Sequence, residues 1–307
     1  MYREYFGLAE VPFSLTPDTA FYYGNSSHQD ALNTLLLALQ MGEGFIKVTG
    51  EVGTGKTLLC RKLLRELAED ERCVSAYIPN PAVTPTALRF ALADELGVSY
   101  HRNMGHHRVM QMIDERLVQE KAAGRKVILI VDEAQALPED CLEAIRLLTN
   151  LETEKSKLLQ VVLFGQPELD LHLGQPSVRQ LRQRITFSHT LSPMDSDAVH
   201  GYLSHRLAVA GYRGPELFSV PIARGISRAC NGVPRLINII AHKCLLAAYG
   251  EGRTQVDRRH LRRAVEDTES VPHDPLRVGL KRVSMGLAGA CSAAAAALGA
   301  YLITGSG

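Results

Sequence analysis

A glycine-rich segment at residues 50–57, with the sequence GEVGTGKT, constrains this chain more than any other feature. It fits the pattern G-x-x-x-x-G-K-[ST], follows the apolar run FIKVT, and precedes leucines at helical spacing. The predicted order is therefore strand, loop and helix. Glycines permit positive φ angles, and the N–H groups of such a loop and of the helix start can converge on a bound anion. The segment predicts a loop that holds the phosphates of a nucleotide.

The fixed positions of this loop have distinct chemical roles. We expect Lys56 to contact the β- and γ-phosphate oxygens and Thr57 to hold Mg²⁺. The sequence thus predicts a nucleoside triphosphate and Mg²⁺ as the ligands. The residues expected to contact the nucleotide are Gly50, Glu51, Val52, Gly53, Thr54, Gly55, Lys56, Thr57 and Leu58.

Strand and helix patterns alternate up to about residue 190. Apolar runs predict strands at residues 45–49, 73–78, 126–131 and 158–164, with helical stretches between them. Such alternation predicts an α/β fold with a parallel sheet covered on both faces. From about residue 191 only helical patterns remain, and they lie at residues 195–210, 221–230, 234–249 and 257–267.

These patterns divide the chain into four predicted parts. Residues 1–190 are expected to form the α/β core, residues 191–269 a small helical lid, and residues 270–282 a proline-broken linker. Residues 283–303 carry no charge, and as a helix they would span about 31 Å, enough to cross a bilayer. We expect a C-terminal hydrophobic, transmembrane helix there. Because alanine and glycine dominate the segment, a soluble Ala-rich helix or a loose tail stays open as the alternative.

Two carboxylates follow the predicted strand KVILIV, at the edge of the sheet where open α/β sheets bind ligands. We expect Asp132 to help hold Mg²⁺ and Glu133 to orient or deprotonate the attacking water. In isolation, an Asp-Glu pair after a strand is more often the start of a helix. With the phosphate loop upstream, the pair instead favours ATP hydrolysis.

Four further side chains are candidates for the reaction. Gln166 follows the strand at residues 158–164, where its amide could contact the γ-phosphate and the water, although a simple turn is the alternative. Arg182 and Arg184 could each reach the nucleotide of a neighbouring subunit, or could be ordinary surface arginines. Arg235 lies in the first turn of a predicted helix, where the helix dipole disfavours a cation. A phosphate partner would explain its position, and a surface ion pair would also do so.

The motifs together resemble the AAA+ superfamily, and more narrowly the ATPases of the general secretion pathway A type, including the ATPase of the mannose-sensitive haemagglutinin pilus system. The resemblance rests on the opening YFGLAEVPFSLTPDTAFYYGNSSHQDAL and on VDEAQ, FGQPEL, LRQRI and NGVPRLIN. It implies a three-layer AAA+ core with a helical lid. It also implies that Asp132 and Glu133 form Walker B, Gln166 is sensor 1, Arg184 is the arginine finger and Arg235 is sensor 2.

The resemblance implies an ATPase that drives or regulates assembly of a secretion or type IV pilus machine at the bacterial inner membrane. The expected partners are further copies of the chain, which share the ATP site, and components of that machine. Basic residues precede residues 283–303 and none follows them, so the ATPase part is expected in the cytoplasm. A DNA-associated regulator of the transposition or replication type and a non-hydrolysing scaffold are the alternatives. The net charge of +1 makes DNA an unlikely partner.

Overall fold

The computed structural model describes residues 1–81, 84–101, 104–150, 152–153 and 156–269. Its strands are β1 (Phe45–Gly50), β2 (Cys73–Ile78), β3 (Lys126–Val131), β4 (Glu152–Thr153), β5 (Ser156–Lys157), β6 (Leu159–Gly165) and β7 (Ile185–Leu191). Its α-helices are α1 (Tyr2–Phe6), α2 (Ser26–Met41), α3 (Lys56–Ala68), α4 (Pro85–Glu95), α5 (His106–Ala122), α6 (Glu139–Leu148), α7 (Glu168–Leu173), α8 (Arg179–Arg182), α9 (Ser196–Val209), α10 (Val220–Cys230), α11 (Pro234–Gly250) and α12 (Arg258–Glu266).

The main sheet has five strands in the order β2-β3-β6-β1-β7, and every neighbouring pair is parallel. Strands β4 and β5 form a separate antiparallel pair. The predicted parallel sheet is confirmed, and the four predicted strands correspond to β1, β2, β3 and β6. Strand β7, which pairs with β1, was not predicted. Because the strands are parallel, the segments that follow β1, β3 and β6 all emerge at one edge of the sheet.

Both faces of the sheet are covered, as the continuous apolar run of its internal strand β3 requires. Along β3, Val127, Leu129 and Val131 face one core cluster, which they share with helices α4, α5 and α6. The alternate residues Ile128 and Ile130 face a second cluster, formed with α2 and α3. Side chains of a strand point alternately to the two faces, so the continuous apolar run is a direct consequence of this three-layer arrangement.

Helices α9, α10, α11 and α12 bury their apolar faces in a third cluster. The N-terminal segment packs here too, through residues that include Phe13 and Phe21. Arg206 of α9 is buried, with its Nε donating to the Pro12 carbonyl and its guanidinium 4.7 Å from the Phe21 ring centroid. The N-terminal segment, which the sequence division grouped with the α/β core, therefore contacts the helical part.

Within the described residues no helix is both long enough and apolar enough to cross a membrane. The predicted linker at residues 270–282 and the predicted transmembrane helix at residues 283–303 lie outside the described part of the chain.

Candidate nucleotide site

The phosphate loop joins β1 to α3 and has the backbone geometry expected of a phosphate cradle. Gly53 and Gly55 adopt φ angles of 83° and 98°, which residues with a Cβ rarely occupy. Glu51 and Val52 are exposed at the tip of the loop, and Leu58 is half-buried in the first turn of α3. The helix begins at Lys56, so its free N–H groups lie beside the loop.

Lys56 is 6% exposed, and its ammonium group donates to the carbonyls of Gly50 at 2.7 Å and Glu51 at 3.1 Å. Burial lowers the pKa of Lys56, while the nearby carboxylates of Glu133 and Asp132 act in the opposite direction. The buried ammonium group and the free N–H groups of the helix start supply the positive charge and donors that an anion at the loop requires. The loop therefore fits the phosphates of a nucleotide.

Asp132 and Thr57 provide adjacent oxygen ligands. Asp132 is 2% exposed, its carboxylate accepts a hydrogen bond from the Glu133 N–H at 2.9 Å, and the nearby Thr57 hydroxyl acts to lower its pKa. Burial raises the pKa of Asp132, because the charged carboxylate loses hydration. A cation at these two oxygens would offset that loss, and oxygen ligands suit Mg²⁺.

No group of three or more His, Cys, Asp or Glu side chains in the described part of the chain could hold a metal ion by itself. Mg²⁺ typically relies on one or two protein ligands together with substrate phosphates and water. Thr57 and Asp132 therefore fit a magnesium ion that arrives with a nucleotide.

Glu133 follows directly, with a φ angle of 52° that is unusual for a residue other than glycine. Its Oε2 accepts hydrogen bonds from Gln135 Nε2 at 2.5 Å and from Gln166 Nε2 at 3.2 Å. Gln135 Oε1 also accepts from the Gln166 N–H at 2.9 Å. The two amides thus fix the carboxylate that the sequence predicts as the base, and they join the end of β3 to the end of β6.

Arg235 lies at the start of α11, next to the loop. Its backbone N–H donates to the Gly53 carbonyl at 3.1 Å, while its side chain is exposed. A Cβ on Gly53 would lie 2.7 Å from the Arg235 Cβ. The structure therefore places the backbone of Arg235 beside the loop, and its predicted contact with phosphate stays a prediction.

Arg184 lies far from the loop of its own chain. Its Nη1 donates to Thr149 Oγ1 at 3.1 Å, at the end of α6. The next residue, Ile185, pairs with Phe45 at the start of β1, whereas the loop follows the end of that six-residue strand. At about 3.3 Å per residue, the strand separates Arg184 from the loop by about 17 Å. Arg182 is exposed.

Two residues at the site were not predicted as site residues. His28 of α2 is buried, and its Nε2 lies 2.8 Å from the Thr54 carbonyl oxygen. Gln135 lies within the VDEAQ motif, and its role becomes evident only from its two contacts. The only sequence signal for His28 is its position three residues after Asn25, an N-cap residue for α2, and this signal does not indicate contact with Thr54.

Comparison with known proteins identifies the family of this chain. Residues 39–173 match the family described as AAA domain. The chain is 43% identical over 256 residues to general secretion pathway protein A of Aeromonas hydrophila, covering 83% of this chain and 46% of that protein. The chain thus spans about half the length of that relative. These matches confirm the predicted family and its nucleotide-binding ATPase domain.

Solved structures share the fold. Cdc6p of Pyrobaculum aerophilum has a TM-score of 0.66 and 20% identity, covering 87% of this chain and 73% of its own. The ORC2 protein of Aeropyrum pernix, solved in ADPNP-ADP complexes, has a TM-score of 0.61 and 14% identity, covering 86% of this chain and 74% of its own. At these identities the likeness concerns the fold alone.

Proposed function

Since the chain belongs to the AAA domain ATPases of the general secretion pathway A type, we propose that it binds ATP with Mg²⁺ at the phosphate loop and hydrolyses it with Glu133 as the base. One observation carries the proposal. The loop lysine, the Thr57–Asp132 pair and the Glu133 carboxylate lie together at one edge of the sheet.

Each side chain has a defined part in the reaction. Lys56 and the loop N–H groups would bind the β- and γ-phosphates, and Thr57 and Asp132 would hold Mg²⁺, which would neutralise phosphate charge. Glu133 accepts a proton from the attacking water, and Gln166 orients both the water and the Glu133 carboxylate. Arg235 contacts the γ-phosphate from α11. The position of the helical part therefore depends on whether the γ-phosphate is present.

The arginine finger acts between subunits in this proposal. Arg184 lies at the opposite end of β1 from the loop of its own chain, beyond the reach of one side chain. In a ring or row of copies it would face the nucleotide of the neighbour and stabilise the charge of the transition state. The ATP site is then complete only in a homo-oligomer.

The cellular role is assembly or regulation of a secretion or type IV pilus machine at the bacterial inner membrane. The relative named for the general secretion pathway supports it. In this proposal residues 283–303 anchor the chain and the ATPase part is cytoplasmic. Carbonate extraction of membranes tests the anchor. Full-length protein should stay with the membranes, while a variant truncated after Asp274 should be released; equal release of both contradicts it.

The machine itself is tested by copurification. Full-length protein solubilised from membranes with a mild detergent should carry inner-membrane secretion or pilus components, and the Glu133→Gln variant with ATP should retain more of them than wild type with ADP. Recovery of the same proteins in both states would contradict an ATP-driven assembly role.

A DNA-associated switch is the second candidate, because α12 presents Arg258, Arg259 and Arg262 as exposed side chains. Binding of duplex DNA that weakens steeply with salt, and that charge reversal of these three residues abolishes, would support it. Absence of DNA binding at low salt would rule out this second candidate, and the secretion-type role would remain.

A further inference from the structure

The buried side chain of His28 contacts the phosphate loop from outside. It is 4% exposed, and its Nε2 lies 2.8 Å from the Thr54 carbonyl oxygen, to which the ring N–H donates. A Cβ on Gly55 would lie 2.8 Å from the same nitrogen. The imidazole therefore packs directly against the peptide unit that joins Thr54 to Gly55.

Asn25 lies at the other end of the ring. The His28 Nδ1 lies 2.5 Å from Asn25 Oδ1, and the same Oδ1 accepts the backbone N–H of His28 at 2.8 Å. That second contact identifies the atom as the amide oxygen, because a backbone N–H requires an acceptor. A neutral ring has only one N–H, which Thr54 accepts, and burial lowers the pKa of His28 and so disfavours a second ring proton. The Nδ1 therefore packs against the Asn25 oxygen without donating to it.

The contact has a direct effect on the phosphate side of the loop. A trans peptide unit is planar, and its carbonyl and N–H point in opposite directions. Because His28 holds the Thr54 carbonyl on the outer side, the Gly55 N–H of the same unit points toward the inner side of the loop. Phosphates are bound there by N–H groups in loops of this type.

We propose that His28 is a positioning residue for nucleotide binding, which orients the Thr54–Gly55 peptide unit so that the Gly55 N–H faces the phosphates. His28 itself touches no nucleotide atom. The inference rests on the proposed function, since it assumes that the loop binds phosphates. It adds that α2, an element outside the motif, determines how well the loop does so.

Two substitutions of different reach test the inference in the full-length protein. The amide nitrogen of His28→Gln can occupy the position of Nε2 and donate to Thr54, whereas the amide of His28→Asn matches Nδ1 and falls short. We expect His28→Asn to raise the dissociation constants of ATP and ADP about tenfold, the effect of one lost hydrogen bond at a buried site. His28→Gln should stay within about threefold of wild type, and kcat at saturating ATP should change less than about twofold in both.

Two further variants separate positioning from stability. His260→Asn removes another fully buried histidine, which caps α12, and should lower the melting temperature without changing nucleotide affinity. Asn25→Ser keeps a cap for α2 and leaves the bond from Nε2 to Thr54 intact, so its nucleotide affinity should stay within about threefold of wild type.

The outcomes distinguish this inference from the proposed function. If wild type binds neither ATP nor ADP, both fail. If wild type binds and the His28→Asn variant binds as tightly, the inference alone fails. It also fails if His28→Gln and His28→Asn are weakened equally, or if His260→Asn lowers nucleotide affinity as much as His28→Asn, because either result would indicate a general loss of packing.

Discussion

The backbone N–H of Arg235 donates to the carbonyl of Gly53 at 3.1 Å, so the first turn of α11 contacts the phosphate loop directly. Met194, in the connection to α9, contacts the segment just before that turn, since its N–H donates to the Gly232 carbonyl at 2.9 Å. A rearrangement of the loop around a nucleotide would therefore be transmitted to the helical part through main-chain contacts. Such contacts do not depend on the side chain at position 235.

The first prediction concerns Gly53. In Gly53→Ala the new Cβ would lie 2.7 Å from the Arg235 Cβ, at a φ angle of 83°. We expect the variant to lower ATP affinity more than about tenfold, since either the loop or α11 must move. The matched control is Gly97→Ala, which has a φ angle of 65° and no atom within 4 Å of its Cβ. That variant should lose about 1 kcal/mol of stability and keep its ATP affinity, as titration with a fluorescent nucleotide and thermal unfolding would show.

Equal ATP affinities of the two alanine variants would mean that the contact between loop and helix does not influence the site.

Glu133→Gln should bind ATP and hydrolyse it about 10²- to 10⁴-fold more slowly than wild type, because the base is lost while the loop is intact. Binding is measured by nucleotide titration and turnover by phosphate release. Glu168→Gln is the control, since Glu168 is exposed at the same edge of the sheet and should turn over at the wild-type rate. A wild-type rate for Glu133→Gln would limit Glu133 to a structural role.

Much of this site could be predicted from sequence because the phosphate loop and the Asp132-Glu133 pair are local motifs, each attached to an apolar strand. The parallel order of the strands then brought the segments together. Strand β7 was missed because it lies at the sheet edge and alternates between half-buried and exposed side chains, without the continuous apolar run of β3. Its alternation of Ile185 and Phe187 with polar residues was a usable signal.

The contact between His28 and Thr54 could not be predicted in that way. The two residues are 26 positions apart, and the contact depends on how α2 packs against α3 and on the conformation of the loop. Gln135 was missed for a related reason. Its two partners, Glu133 and the Gln166 backbone, are brought together only by the pairing of β3 with β6.

Arg184→Ala should bind ATP with wild-type affinity but hydrolyse it about 10³-fold more slowly, as expected for loss of a finger that acts on the neighbour. Arg182→Ala is the matched control and should keep wild-type turnover. Because Arg184 also donates to Thr149, the melting temperature of each variant is measured alongside.

Mixing tests whether Arg184 acts between subunits. Arg184→Ala mixed with Lys56→Ala should recover part of the activity, because one mixed interface pairs an intact loop with an intact arginine. Absence of recovery at concentrations where mixed assemblies form would contradict action between subunits.

Steady-state ATP hydrolysis by the full-length protein, compared with its Lys56→Ala variant, tests the central claim most directly. Wild type should release phosphate from ATP in a reaction that requires Mg²⁺ and saturates with ATP. Lys56→Ala should lose tight ATP binding and with it hydrolysis, because the loop would face the phosphate charge without its buried ammonium group. Equal ATP affinity and equal turnover in the two proteins would contradict the assignment of residues 50–57 as the nucleotide site.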